Sequence, residues 1–234
     1  MNLFFDLFFT LCAPYRESDP CTEWAYLHMD CEDWMRRVET EEECTKRELG
    51  LLYSSPEALM RGIMNAAGIT ANSQTLAILT KLRTDRMRRA VTEIRPEILC
   101  TLDALREQGH QLCLVSNADV IDTLYWEDSP LASHMDAVVF SHKEHLRKPD
   151  ASIYHLAMQR LDAMPHNSIF IGDGGANEHF GAKQVGMGTI LSTYLRPRTQ
   201  AELTDLTPFA DHVLTNFTDL PVLLHSEYNL PRNL

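Results

Sequence analysis

The sequence predicts an α/β protein: a parallel sheet with a helical insertion between its first two strands. Three observations predict it. Short apolar runs recur along the chain, each ending in polar residues. Stretches with helical punctuation lie between those runs. One long stretch, from about Pro14 to about Val91, breaks the alternation and carries helix signals alone.

The elements follow in chain order. Leu3-Phe4-Phe5-Asp6 is the first run, apolar on both faces, as a strand buried inside a parallel sheet should be. In the long stretch, Ser55-Pro56-Glu57 starts a helix and Gly68 stops it. Ala77 to Ala90 forms a second, basic helix. The stretch is too long for a loop in a compact domain, so it reads as an inserted unit. Pro96 then opens a helix with Ile98, Leu102 and Leu105 on one face, and Gly109 closes it. Leu112 to Ser116 and Ala137 to Ser141 are the next two strand runs. Asp150 caps a helix whose inward residues are Ile153, Leu156, Ala157 and Leu161. Ile169 to Asp173 is the fourth run, Ala176 to Val185 a short helix ending at Gly186, and Thr189 to Ser192 the fifth run. Asp211-His212-Val213-Leu214 is a short sixth. Strand–helix–strand alternation implies right-handed crossovers and a parallel sheet.

The 234 residues suit one large domain or a core with an insertion. Lys and Arg number 21 against 33 Asp and Glu, a formal net charge of −12, so the expected partner is neither nucleic acid nor an anionic membrane. Hydrophobic residues at 44% are enough for a core. No apolar run reaches the roughly 20 residues that span a bilayer. Met1 to Ala13 is apolar, yet it lacks a basic start and is interrupted by Asp6, a poor fit to a secretory leader. Cys12, Cys21, Cys31, Cys44, Cys100 and Cys113 form no CxxC pair. The expectation is reduced thiols in a cytoplasmic protein, although the spacing of Cys21, Cys31 and Cys44 leaves a disulfide open. Nothing in the pattern specifies an oligomeric state.

Ligands of open parallel sheets bind outside the carboxyl ends of the strands. The polar residues there are Asp6 and Thr10 after the first strand, Ser116 and Asn117 after the second, and Asp173, Asn177 and Glu178 after the fourth. Lys148, in Lys148-Pro149-Asp150, sits in the loop before the helix that precedes the fourth strand. Carboxylates converging at one sheet edge need cations between them, and a lysine with a divalent metal supplies them. Hard oxygen ligands favour Mg2+.

The set Asp6-Leu7-Phe8-Phe9-Thr10-Leu11, Val115-Ser116-Asn117, Lys148-Pro149-Asp150 and Gly172-Asp173-Gly174-Gly175-Ala176-Asn177-Glu178 resembles the haloacid dehalogenase-like (HAD) hydrolase superfamily. The motifs run in order from residue 6 to residue 178. They are specific for fold and superfamily and silent on substrate. The resemblance implies a Rossmann-like parallel sheet core, residues 1–13 and 92–234, with an inserted α-helical cap domain, residues 14–91. It implies that Asp6 is a nucleophile forming a covalent aspartyl intermediate and that Thr10 orients it or hydrogen-bonds substrate. Ser116 and Asn117 would hold the transferring group and Lys148 would neutralise developing charge. Mg2+ would be held by Asp6, the backbone carbonyl of Phe8, and Asp173, with Glu178 direct or through water. The physical logic is covalent catalysis with charge stabilisation on a small-molecule substrate.

One departure matters. Most phosphatases of the superfamily carry a second aspartate two residues after the nucleophile, which protonates the leaving alkoxide and then activates water. Here that position is Phe8. General acid–base catalysis is typically worth ~10²–10⁴-fold, so its loss should hurt esters with strongly basic leaving groups most. It matters least where halide leaves carbon without a proton. Phe8 therefore leans toward a metal-free 2-haloacid dehalogenase, and the Asp173–Glu178 pair toward a Mg2+-dependent phosphatase acting on a small phosphorylated metabolite. The retained metal pair is given more weight. A degenerate member that binds a ligand or partner without turnover is the third alternative.

Other features carry plainer readings. Arg36 and Arg37 lie where dehalogenases of the family place a cap arginine, but beside Glu39 and Glu41 to Glu43 they read as a solvated helix face. Lys81, Arg83, Arg86, Arg88 and Arg89 read as an exposed basic face, with phosphate steering as the minority reading. His142 and His145 have the spacing of a metal pair but no further ligands, and read as surface loop residues. The ten methionines read as core filler, and Trp24, Trp34 and Trp126 as packing residues.

Overall fold

A computed structural model describes residues 1–15 and 19–228 of the chain. Six parallel strands, β1 (Asn2–Phe5), β2 (Gln111–Ser116), β3 (Ala137–Phe140), β4 (Ser168–Gly172), β5 (Gly188–Ser192) and β6 (His212–Leu214), form one sheet in the order β3-β2-β1-β4-β5-β6. β1 lies at the centre, with Phe5 level with Leu114 of β2 and Ile171 of β4. Alternation along the strands splits the core in two. Leu3, Phe5, Leu112, Leu114, Ile169 and Ile171 face one apolar layer; Phe4, Cys113, Val115 and Phe170 face the other. Both faces are covered, which is why the strand runs read as continuously apolar.

Between β1 and β2 the described residues contain helices only; the first five are α1 (Glu23–Tyr26), α2 (Cys31–Val38), α3 (Glu41–Glu48), α4 (Pro56–Ala66) and α5 (Ser73–Thr92). Each starts on a side chain that accepts from the first turn. Thr22, Asp30, Thr40, Ser55 and Asn72 bond the backbone N–H of Ala25, Glu32, Glu43, Ala58 and Thr75 at 2.8–3.3 Å. Each such cap contributes about 1 kcal/mol. These helices bury Trp24, Trp34, Leu59, Met60, Ile63, Leu79 and Met87 in an apolar cluster of their own, which Ile121 joins from the segment after β2.

The remaining helices cover the sheet: α6 (Pro96–Glu107), α7 (Ser141–Glu144), α8 (Ala151–Arg160), α9 (Glu178–Gln184), α10 (Gln200–Leu206) and α11 (Leu220–Glu227). Ile98, Leu102 and Leu105 of α6 pack with Leu220 and Leu224 of α11 on one face, and Ile153, Tyr154 and Ala157 of α8 with Ala182 of α9 on the other. No helix among the described residues is long and apolar enough to cross a membrane. All six cysteines are free thiols.

Several expectations are corrected. α5 begins at Ser73 rather than Ala77, because Asn72 caps it. Asp150 stands at the N-cap of α8, but its side chain makes no capping bond. Ala176 and Asn177 are left-handed, at φ 50° and 51°, so α9 begins only at Glu178. Ser141 opens α7 rather than ending β3. His142 therefore sits on a short helix, its Nε2 2.8 Å from Thr123 Oγ1, while His145 Nδ1 is 2.7 Å from the carbonyl of Leu49. The two rings serve different partners and form no metal pair.

Candidate active site

Asp6 leaves the sheet at the carboxyl end of β1, where its N–H donates to the carbonyl of Ile171 at 2.9 Å. The chain then turns sharply: the N–H groups of Leu11 and Cys12 both reach the carbonyl of Leu7, and Phe9 takes φ 58°. The turn brings Thr10 back, its Oγ1 a long 3.5 Å from Asp6 Oδ2, and leaves Phe8 and Phe9 half-buried.

Lys148 is 1% exposed, and its Nζ donates to Asp6 Oδ1 at 2.5 Å and to Glu178 Oε2 at 2.7 Å. Asn117 holds the lysine from behind: its Oδ1 accepts from Lys148 N at 2.8 Å and its Nδ2 donates to Lys148 O at 3.0 Å. The Asn117 amide, expected to face the transferring group, is thus turned onto the lysine backbone. Ser116 is fully buried at the end of β2, its Oγ 3.4 Å from the carbonyl of Asn117.

The loop after β4 supplies the other carboxylates. Glu178 Oε1 accepts from Gly174 N at 2.9 Å. Gly172 is what lets it approach, since a methyl group there would lie 2.0 Å from Glu178 Oε1. Asp173 Oδ1 accepts from Gly175 N at 3.0 Å. Oxygens of Asp6, Asp173 and Glu178, all buried, lie within 4.8 Å of one another.

The electrostatics follow from this crowding. Burial pushes the Asp6 carboxyl up to about 7; Lys148 pulls it down, while Glu178 and Asp173 push it up further. Burial also raises Glu178, against the pull of Lys148. Burial opposes the charge on Lys148, but Asp6 and Glu178 outweigh it and hold the lysine above its usual range.

Other residues of the site were missed by reading the sequence. Arg198 Nη2 donates to Asp173 Oδ2 at 2.7 Å and to its carbonyl at 2.6 Å, and Arg196 Nη1 lies 3.7 Å from the same Oδ2. Both follow β5, so the rule that ligands sit beyond strand ends would have found them there. Three carboxylates then meet two close cations, Lys148 and Arg198. With all three ionised, one negative charge is left over in a buried oxygen cluster, a donor set that suits a small hard dication.

Above Asp6 opens a cavity of about 410 Å³, lined by Phe8, Phe9, Tyr15, Trp34, Lys148 and Asp173 as well as by charged side chains of the helical insertion. A second hollow, about 450 Å³ beside Arg89 and Arg95, touches none of the clustered carboxylates. Arg83 and Arg86 are buried in the wall of the first cavity, which overturns their reading as an exposed face. Arg83 Nη2 donates to Asp119 Oδ2 at 2.7 Å and Asp122 Oδ1 at 3.1 Å; Arg86 grips both oxygens of Glu23 at 2.8 and 3.0 Å. Burial, then the neighbouring Asp119, pushes the Asp122 carboxyl up to about 7. Arg36 and Arg37 are largely exposed and pair with Asp33.

Residues 16–186 match the haloacid dehalogenase-like hydrolase family, well over half of the chain. The chain belongs to that family of hydrolases. The matched segment starts after Asp6 and Thr10 and takes in Ser116, Asn117, Lys148, Asp173 and Glu178. A glyceraldehyde 3-phosphate phosphatase of Pyrococcus furiosus is 28% identical over 131 residues, 54% of this chain and 52% of its own length. A ribulose-1,5-bisphosphate 5-phosphatase of Halopiger xanaduensis is 28% identical over 121 residues, 51% of this chain and 48% of its own. The chain thus spans about half the length of these curated relatives. The L-2-haloacid dehalogenase of Xanthobacter autotrophicus, solved with chloropropionic acid covalently bound, shares the fold. Its TM-score is 0.69 at 18% identity, covering 97% of this chain and 98% of that one.

Proposed function

We propose that this hydrolase is a Mg2+-dependent phosphatase of small phosphorylated metabolites, working through an aspartyl phosphate on Asp6. The observation that carries the reading is the meeting of Asp6, Asp173 and Glu178 within 4.8 Å around Lys148. Displacement of halide from carbon has no use for the Asp173–Glu178 pair. The two phosphatases with 28% identity support the same reading.

Asp6, the Phe8 carbonyl and Asp173 would hold the ion, with Glu178 direct or through water. When bound, it offsets charge on the transferring group as a Lewis acid. Everything else falls to the chain. Lys148 engages Asp6 Oδ1, which leaves Oδ2, with its long Thr10 contact, as the attacking oxygen. Oδ2 attacks phosphorus in line with the departing oxygen. Lys148 and Ser116 take the charge and the hydroxyl contacts of the phosphoryl group, and Asn117 fixes the lysine through its backbone. Water then attacks phosphorus and Asp6 leaves as carboxylate.

Phe8 favours a second reading, a metal-free dehalogenase of short 2-haloacids, since halide needs no proton. One assay separates the two. The phosphatase releases phosphate from an activated aryl phosphate with Mg2+ and not with EDTA, and Asp173→Asn abolishes the release. Halide release from a 2-haloacid in EDTA, without phosphate release in Mg2+, selects the dehalogenase.

A further inference from the structure

Five cations line the cavity above Asp6: Arg47, Arg83, Arg86, Lys148 and Arg196. Among the described residues, the first four are spent on hydrogen bonds to Glu39, Asp119, Asp122, Glu23, Asp6 and Glu178. Arg196 differs. Among the described residues its guanidinium makes no hydrogen bond. It has an ion-pair contact at 3.7 Å with Asp173 Oδ2 and lies 5.2 Å over the ring of Phe9. Asp173 does not need it, being gripped by Arg198 at 2.7 Å. A guanidinium carries five donors, and among the described residues those of Arg196 are unused.

Phe9 is the second observation. Its φ of 58° is a conformation that bulky residues avoid and glycine adopts freely. The chain keeps an aromatic ring there all the same, and the ring carries Arg196 on its face and meets Tyr15 edge-on at 5.4 Å. Cation–π contact of this kind holds a guanidinium in place without consuming its donors.

The third observation is location. Lys148 is 1% exposed and already tied to Asp6 and Glu178, whereas the Arg196 side chain is 46% exposed. In-line displacement places the leaving group across phosphorus from Asp6, toward the open cavity that Arg196 and Phe8 line. We propose that Arg196 is a further catalytic residue, binding the leaving-group oxygen and offsetting the charge that Phe8 cannot quench with a proton. The proposal rests on the phosphatase reading. As the phosphorus–oxygen bond breaks, its electron pair stays on the leaving oxygen, facing Arg196. The guanidinium keeps its protons, and the oxygen takes one from water, leaving hydroxide. In the second half-reaction one proton of the attacking water stays on the released phosphate and the other neutralises that hydroxide.

The test is a leaving-group series. Wild type, Arg196→Gln, Arg196→Lys and Phe9→Gly are assayed with Mg2+ on esters from activated aryl to alkyl phosphates. The readout is the dependence of kcat/KM on leaving-group basicity. Arg196→Gln should lose about 10²–10³-fold on alkyl esters, the range for removing one oxyanion donor, and far less on the most activated aryl ester. Arg196→Lys should recover part of the loss. Phe9→Gly, which relaxes the backbone, should show a weaker form of the same steepened dependence. A loss equal on every ester, or no loss, in variants with the wild-type melting temperature overturns the role of Arg196 alone. A wild type that releases phosphate from no ester overturns the phosphatase reading, and this proposal with it.

Discussion

Replacing Lys148 with methionine removes one cation from two buried carboxylates at once. Lys148 Nζ touches Asp6 at 2.5 Å and Glu178 at 2.7 Å, and lies 5.2 Å over the ring of Phe170. Methionine keeps most of the stem and none of the charge. Breaking a buried ion pair costs about 3–5 kcal/mol, because the partner is left charged without compensation. That is a large share of the 5–15 kcal/mol that typically holds a domain together. The loss should depend on pH, and the sign follows from the carboxyls. In the metal-free protein Asp6 titrates at about 7, against an ordinary value of 3.8. Loss of Lys148 raises Asp6 and Glu178 further. A carboxyl whose folded value is raised favours the folded state below its unfolded value and loses that contribution as pH rises. The deficit of Lys148→Met relative to wild type should therefore be small well below pH 7 and approach its full size above it. Urea unfolding in EDTA, followed by the fluorescence of the buried Trp24, Trp34 and Trp126, measures this at both pH values. An equal deficit at both, or a larger one in acid, would refute the reasoning.

Other substitutions test other parts. Phe8→Asp should raise turnover of alkyl phosphates by up to ~10²–10⁴-fold and change activated aryl esters little; unchanged turnover in a folded variant counts against the missing-acid account. Asp122, raised from 3.8 to about 7, contributes stability below its unfolded value and loses it as pH rises through 7. Asp122→Asn should thus melt higher than wild type above pH 7 and not below it; the reverse order would contradict the buried charge. Arg86→Met should cost about 3–5 kcal/mol by stranding Glu23, whereas Glu23→Leu with Arg86→Met should recover most of it. Denaturant midpoints decide, and an equal loss in the double variant would argue against a desolvated pair.

The sheet was legible because burial on both faces writes itself as unbroken apolar runs, and β1 to β6 fall on those runs to within a residue or so. The helices of the insertion were legible where Ser55, Pro56 and Gly68 punctuate them. Arg83 and Arg86 were not. A basic stretch on one helix looks solvated until Glu23, Asp119 and Asp122, far along the chain, close around it. Of the paired left-handed residues, Asn177 is a type that tolerates the conformation, but Ala176 gives no local signal of it. The strand-end rule collects Asp6, Asp173 and Glu178, Lys148 joins them from the loop before α8, and the structure gathers the four in space. The same rule extended to β5 would have reached Arg196 and Arg198.

The most direct measurement is a rapid acid quench of the enzyme turning over an activated aryl phosphate with Mg2+, followed by mass spectrometry of the peptide that contains Asp6. The account predicts a phosphoryl group on Asp6 that appears with substrate, is absent in EDTA and is missing in Asp6→Asn. Phosphate release at full rate with no label on that peptide, or undiminished turnover by Asp6→Asn, would contradict it.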